Sequence, residues 1–140
     1  MKASTRLDHD LRFIGRSETG HETAFDTTVA GGGTDTAASP MEILLEAASA
    51  CTSMDVVIIL RKKRRIVTAL NIDLDAERAT THPKVFVKIH ASFKLTSPDA
   101  TQEELERAIE LSMTTYCSVG GTLRKGGCDV SWDATIIRPD

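Results

Sequence analysis

The chain has 140 residues, 41% of them apolar and 26% charged, a composition that predicts one globular domain over residues 1–140. The net charge of −3 excludes a general attraction to nucleic acid or to an anionic membrane surface. The N-terminus lacks the apolar stretch of a secretory signal, so we expect a cytoplasmic protein. Because only 4% of the residues are aromatic, burial per residue is limited, which favours a homo-oligomer.

The N-terminal part of the chain predicts a strand hairpin. Residues 10–18 and 21–29 are short strand-like runs separated by Thr19 and Gly20. Residues 30–39 are small and polar, which predicts a mobile connecting loop. The three adjacent glycines of this loop lack the spacing that a phosphate-binding loop requires.

A long helix is predicted next. Ser39 can cap the first free amides, Pro40 suits the first helical position and Glu42 complements the helix dipole. Thirteen of the eighteen residues from 43 to 60 are apolar and lie all around the helix, which predicts burial on most sides.

Two other interpretations of this segment are less favoured. A membrane span is the first, but Glu46 and Asp55 inside the apolar run favour a core helix. The basic run at 61–65 resembles a nucleic-acid-binding patch, yet cations at the last turn are explained by the helix dipole.

The remainder predicts a second hairpin, a second helix and a last strand. Alternation of apolar and polar residues indicates strands at 67–77 and 85–95, with Val85, Val87, Ile89, Ala91, Phe93 and Leu95 on one face. Thr101 followed by Glu104 is a capping-box pattern, and helical spacing continues to Tyr116. Residues 118–127 read as a glycine-punctuated segment with one short helical turn, and residues 128–136 alternate as a strand.

The cysteines offer the most distinctive chemistry. Cys51 lies in the long helix and Cys117 at the end of the second helix, both in apolar surroundings. A cysteine attacks as a thiolate, so Cys51 needs a cation or a hydrogen-bond donor; Arg16 and the basic run at 61–65 are candidates. Cys128 falls on the apolar face of the last strand and is expected to be core packing.

Other kinds of site find little support in the sequence. The four histidines show no metal-ligand spacing, so we expect no metal and no cofactor. Local context suggests no Ser/His/Asp arrangement and no nucleophile elbow.

The blocks around the two cysteines resemble the OsmC/Ohr family of thiol-dependent peroxidases, most closely its YhfA-like branch. The similar blocks are residues 39–63, Tyr116-Cys-Ser-Val119 and Thr122-Leu123, and the order of elements also fits. The resemblance implies an α+β fold with antiparallel sheets wrapped around a long central helix, in an intertwined homodimer. It also implies reduction of organic or lipid hydroperoxides.

The resemblance assigns roles by position. Cys51 matches the peroxidatic cysteine, which becomes a sulfenic acid, and Cys117 matches the resolving cysteine, which forms a disulfide with it. An external dithiol would then reduce that disulfide. Arg16 matches the arginine that stabilises the thiolate. The family's acidic residue, ten positions before the first cysteine, is Met41 here, and Glu42 stands beside it.

Helix geometry constrains the acidic residues. Glu42 lies nine residues before Cys51, about 180° around a regular helix and roughly 13 Å along it. A carboxylate that plays the family role is therefore expected from the partner subunit or not at all. Asp55 follows Cys51 by four residues, where an unpaired carboxylate would disfavour a thiolate.

Two alternative functions stay open. The first is a non-catalytic binding module that holds an apolar ligand at the dimer interface, with Cys51 unreactive. The second is a thiol-disulfide redox protein that acts on other proteins. The peroxidase and the binding module are both expected to be homodimers, and neither nucleic acid nor a membrane is expected as a partner.

Overall fold

The computed structural model describes all 140 residues, which form two compact units, residues 1–46 and 47–140. In chain order the elements are β1 (Ala3–His9), β2 (Arg12–Ser17), β3 (Glu22–Phe25), α1 (Pro40–Lys62), β4 (Ala69–Arg78), β5 (Phe86–Thr96), α2 (Gln102–Leu111), α3 (Ser118–Lys125) and β6 (Asp129–Ile137). The α+β prediction is confirmed, with two three-stranded sheets. The interpretation of residues 1–140 as a single domain stays a prediction.

The first unit contains the antiparallel sheet β1-β2-β3. The predicted hairpin is β2-β3, and β1 is an additional strand. All seven residues of β1 are exposed, so no apolar alternation marks it in the sequence. The backbone at Gly15 on β2 passes close to the ring of Phe25. A Cβ at position 15 would lie 2.7 Å from that ring, which favours glycine there.

The loop after β3 is held together by one buried carboxylate, which corrects the expectation of a mobile connection. Asp26 is 2% exposed. Its oxygens accept bonds from the hydroxyl of Thr34 at 2.6 Å and from the hydroxyl of Thr36 at 2.9 Å. The amides of Thr27 and Thr36 also donate to it, at 2.8 and 3.0 Å. These bonds place the pKa of Asp26 far below its usual range, the Thr34 hydroxyl having the largest effect.

Helix α1 is continuous over 23 residues. Its predicted start is confirmed: the Ser39 amide donates to Glu42 at 2.6 Å, and the Glu42 amide donates to the Ser39 hydroxyl at 3.4 Å. The expected burial on most sides is wrong for the single chain, because only Thr52, Val56 and Leu60 of this helix are buried. By length and composition α1 could also cross a membrane, a test that the core helices of soluble proteins pass too.

The second unit is built on the sheet β4-β5-β6, in which β6 runs parallel to β5 rather than antiparallel. A parallel neighbour requires a long crossover, and α2 and α3 lie in it. One face of this sheet packs with α1 and α2. The buried members of this core are Val56, Leu60, Ala91, Phe93, Leu95, Ala100, Leu105, Ala108 and Ile109.

The start of β5 differs from the predicted alternation. Val85 and Val87 are 46% and 40% exposed, whereas Phe86 is buried. The pairing with β4 shifts here, since Glu77 faces Lys88 while Arg78 faces Phe86. Such a bulge moves the preceding residues to the opposite face of the sheet. From Ile89 onward the predicted buried face is confirmed.

Helix α2 begins at the predicted capping box, with the Glu104 amide donating to the Thr101 hydroxyl and the Thr101 amide donating to the Glu104 carboxylate. It ends at Leu111, and one π-helical turn, Ser112–Tyr116, follows. The glycine-punctuated segment after Cys117 is mostly the eight-residue helix α3 rather than a loop with one turn.

Candidate functional site

The structure brings Cys51 and Cys117 together, although 65 residues separate them in the sequence. The two sulfur atoms and a carboxylate oxygen of Asp55 all lie within 4.8 Å of one another. Both cysteines are free thiols; Cys51 is partly exposed and Cys117 is 4% exposed. Cys51 is therefore the more accessible of two neighbouring sulfurs.

Cys117 owes its position to the elements on either side of it. The π turn ends when the Cys117 amide donates to the Ser112 carbonyl at 2.8 Å. Cys117 is then the N-cap of α3, and its Sγ accepts the Gly120 amide at 3.3 Å. A helix N-terminus favours negative charge, so this position suits a thiolate.

The pKa of Cys117 is raised above its ordinary value, and burial is the main cause. Hydrogen bonds from the Thr52 hydroxyl and from the Gly120 amide act in the opposite direction, while the neighbouring Cys51 adds to the rise. The resting form of Cys117 is therefore the thiol, and two donors stand ready to stabilise the thiolate when the proton leaves.

Asp55 is not an unpaired carboxylate. Ser112, which is fully buried, donates its hydroxyl to Asp55 Oδ2 at 2.8 Å, across 57 residues of sequence. This hydrogen bond partly compensates the negative charge of Asp55, which was expected to disfavour a thiolate at Cys51. The carboxylate observed beside the thiols is thus Asp55 of the same chain, and a carboxylate supplied by a partner subunit stays a prediction. No sequence signal identified Ser112 or Thr52, because their roles depend on how α1 packs on the π turn.

Arg16 and Glu42 belong to the residue 1–46 unit. Arg16 lies exposed on β2, paired in register with Ser4 and Glu22 on the neighbouring strands. The carboxylate of Glu42 accepts the Ser39 amide at the start of α1, and hydrogen bonds from Ser39 lower its pKa. Glu42 thus has a structural role at the helix start. Catalytic roles for Arg16 and Glu42 stay predictions.

A narrow apolar cavity of about 20 Å³ lies beside the thiols. Its walls include Thr52 and Gly120, which both contact Cys117, together with Phe93 and Met113. Pockets that hold small molecules commonly measure about 300–1,000 Å³. The cavity as it stands therefore has room for little more than a water-sized group.

The two thiols and the neighbouring carboxylate are the part of the chain best suited to a metal ion. Cys51, Cys117 and Asp55 offer two sulfurs and one oxygen, a set that suits Zn²⁺ when both thiols are ionised. None of the four histidines takes part in this cluster. The sequence-based expectation that the chain uses no metal stays a prediction.

A Ser/His/Asp cluster lies on the opposite face of the second sheet, which the sequence did not suggest. His90 Nδ1 is 2.8 Å from the Ser131 hydroxyl, and Nε2 is 2.7 Å from Asp133. His90 and Ser131 are register partners in the parallel pair β5-β6, so only the pairing reveals them. The side chains of His90 and Asp133 are 42% and 57% exposed, which suits a surface ion pair better than a shielded nucleophile.

The fold and the paired thiols together define a class of protein. It is an α+β protein in which a partly exposed cysteine on a long helix lies beside a buried cysteine at the start of a short crossover helix. A family model described as OsmC-like protein matches residues 32–133. The chain belongs to the OsmC-like family.

Individual relatives agree with this membership. Protein YhfA of Escherichia coli K12 is 38% identical over 125 residues, covering 89% of this chain and 90% of YhfA. A hypothetical protein from Aquifex aeolicus has a TM-score of 0.81 at 27% identity, covering 97% of this chain and 96% of its own. An organic hydroperoxide resistance protein OsmC from Legionella pneumophila, also described as a predicted redox protein and regulator of sulfide bond formation, shares the fold, with a TM-score of 0.69 at 15% identity, covering 96% of this chain and 95% of its own.

Proposed function

We propose that this protein is a cytoplasmic thiol-dependent peroxidase that reduces organic hydroperoxides with Cys51 and Cys117. The observation that carries the proposal is the pair of free thiols within 4.8 Å of each other. An accessible thiol beside a buried one is the arrangement that a peroxidatic and a resolving cysteine need, because the first must meet substrate and the second must meet the first. Membership of the OsmC-like family supports it.

The first half of the proposed cycle oxidises Cys51. Its thiolate attacks the outer oxygen of a hydroperoxide, a sulfur–oxygen bond forms and the O–O bond breaks. The leaving alkoxide takes a proton and departs as the alcohol, and Cys51 is left as a sulfenic acid. Arg16 is the residue proposed to stabilise the Cys51 thiolate.

The second half resolves the sulfenic acid. Cys117 gives up its proton and attacks the Cys51 sulfur; a disulfide forms, and the hydroxyl group leaves with that proton as water. The Gly120 amide already donates to Cys117 and the Thr52 hydroxyl acts to lower its pKa, so groups that favour the charge developing on this sulfur are in place. An external dithiol then supplies two electrons and restores both thiols.

A homodimer completes the proposal. Met54 and Ile58 on α1 are 65% and 50% exposed in the single chain. A helix this apolar is normally buried, and a second copy of the chain would cover these side chains. The expected burial of α1 on most sides would then hold in the dimer.

The alternative of a thiol-disulfide redox protein uses the same cysteines and differs in its oxidant. The Legionella protein, whose fold is similar, carries both descriptions, hydroperoxide resistance and redox protein. The alternative of a module that binds an apolar ligand at the dimer interface has a larger cavity available than the one of about 20 Å³. A cavity of about 320 Å³ lies along α1, and its walls include Asp55, Ile58 and Tyr116.

The decisive assay follows consumption of cumene hydroperoxide in the presence of dithiothreitol. Wild type is expected to turn over repeatedly and Cys51→Ser to be inactive. In a parallel reaction without dithiothreitol, Cys117→Ser is expected to consume about one equivalent and accumulate a sulfenic acid that dimedone traps. Cys128→Ser is the matched control, since this thiol is 5% exposed and lies outside the pair. Equal inactivity of wild type and Cys51→Ser would refute the peroxidase.

A further inference from the structure

One buried donor near the site has no partner. Nη1 of Arg124 is inaccessible to solvent and makes no hydrogen bond. A buried guanidinium N–H without an acceptor is costly, because the group has lost its water and gained nothing in return. Such a group in a folded protein therefore calls for an explanation.

The position of the Arg124 side chain offers an explanation for its unpaired donor. Its side chain folds back along α3 over Gly120 and Gly121, where no Cβ obstructs it. The point that a Gly120 Cβ would occupy is 3.2 Å from Cys117 Sγ and 3.4 Å from Arg124 Nη1. The unpaired donor and the resolving sulfur thus both lie within 3.4 Å of one point, the Cβ position of Gly120.

We infer that Arg124 is the cation that stabilises the Cys117 thiolate while the disulfide with Cys51 forms and breaks. This inference rests on the proposed roles of the two cysteines and concerns a residue to which the family resemblance gives no role. The guanidinium lacks an acceptor when Cys117 is a thiol and gains one when Cys117 becomes a thiolate.

Negative charge develops on the Cys117 sulfur in two steps, when the disulfide forms and when it is reduced. When Cys117 attacks the Cys51 sulfenic acid, it first loses its proton. When an external dithiol reduces the disulfide, it attacks Cys51, which is the more exposed sulfur, and the S–S bond breaks to release Cys117 as a thiolate. The leaving sulfur already accepts from the Gly120 amide, and the role inferred for Arg124 is to supply a second donor.

A role of Arg124 in thiol chemistry can be distinguished by experiment from a role in stabilising the fold. Because Nη1 is buried without a partner, Arg124→Met removes an unsatisfied buried N–H and is expected to leave the melting temperature unchanged or higher. A residue that held the fold together would show the opposite. If Arg124→Met is as stable as wild type but its disulfide is reduced more slowly, Arg124 activates the thiol chemistry of Cys117.

The test uses no peroxide, so it is independent of the peroxidase proposal. Diamide forms the disulfide, and dithiothreitol reduces it while the rate is followed. Arg124→Met is expected to slow reduction about threefold to tenfold. Arg124→Lys keeps the charge and should recover part of the rate. Lys125→Met, which changes the next residue, is the control and should match wild type.

A second readout covers the case in which no disulfide forms. In a chain carrying Cys51→Ser and Cys128→Ser, ultraviolet absorbance of the thiolate gives the pKa of Cys117, and Arg124→Met should raise it by about one unit. If the pKa stays the same in Arg124→Met and in Arg124→Lys, or if Lys125→Met shifts it equally, the inference is wrong. Loss of peroxidase activity alone would not bear on it.

Discussion

Arg65 donates three hydrogen bonds to the carboxylate of Glu104, from Nε to Oε1 at 3.1 Å and to Oε2 at 2.9 Å, and from Nη2 to Oε1 at 2.9 Å. Arg65 follows α1, whereas Glu104 lies in the first turn of α2, so the pair joins the two helices that carry the core. Arg65 and the Thr101 amide together lower the pKa of Glu104 to about 2.

The first prediction concerns pH. A carboxylate whose pKa is depressed on folding stabilises the protein above its unfolded pKa, here 4.5, and this stabilisation is lost as the pH falls towards about 2. Glu104→Gln should therefore lower the melting temperature at pH 7 and have little effect near pH 2. Glu103→Gln, on the same turn but without this ion pair, should change little at either pH. An equal effect of Glu104→Gln at both values would contradict the assignment.

The second prediction concerns the loop after β3. An amide at position 26 cannot accept all the bonds from Thr34, Thr36 and the nearby backbone, so Asp26→Asn should loosen residues 27–36. Limited proteolysis should then cut within this segment faster than in wild type. Because the pKa of Asp26 is far below its usual range, the difference should persist unchanged from pH 8 to pH 5. Unaltered cleavage would mean that the carboxylate does not hold the loop.

The third prediction tests the core of the second unit. Phe93 is fully buried, and its ring lies edge-on to Trp132 with centroids 6.5 Å apart and planes at 84°. Phe93→Ala should reduce the free energy of unfolding by about 3–5 kcal/mol in denaturant titrations. Phe93→Leu keeps most of the volume and should cost clearly less. A loss below 1 kcal/mol for Phe93→Ala would contradict the packing described.

The fourth prediction separates two adjacent glycines on α3. A Cβ at position 120 would crowd both Cys117 Sγ and Arg124 Nη1, whereas the nearest atom to a Cβ at 121 is 4.0 Å away. Gly120→Ala should slow reduction of the disulfide by dithiothreitol. Gly121→Ala should leave the rate unchanged and stabilise the helix by up to about 1 kcal/mol. Equal rates in both variants would show that the space over Gly120 is not used by the site.

The fifth prediction concerns assembly. If a second copy covers the exposed apolar side of α1, a charge there should separate the subunits. Ile58→Glu is expected to convert the dimer to a monomer in size-exclusion chromatography with light scattering. Thr135→Glu, at an exposed polar position on β6, is the control. A wild-type protein that is monomeric at micromolar concentration would refute the proposed dimer.

Local patterns were sufficient for much of the fold. Both capping boxes, Ser39 with Glu42 and Thr101 with Glu104, involve residues three apart, so their bonds can be inferred from sequence alone. The two cysteine positions could also be identified from their flanking residues.

Features that depend on packing between distant segments could not be predicted. The bulge near Val87 follows from the register with β4, and the bond from Ser112 to Asp55 follows from the packing of the π turn on α1. The expectation that α1 is buried on most sides failed for the single chain because apolar pattern alone does not distinguish burial within a chain from burial between chains.

The long sequence separation of the two thiols affects stability as well as chemistry. A bond between Cys51 and Cys117 would enclose the whole β4-β5 hairpin and α2 in one covalent ring. A ring of this size restricts the unfolded chain by about 4 kcal/mol in the chain-entropy description. The oxidised protein should therefore unfold at a markedly higher temperature than the reduced one, so that thermal denaturation alone would reveal how much of a sample is oxidised.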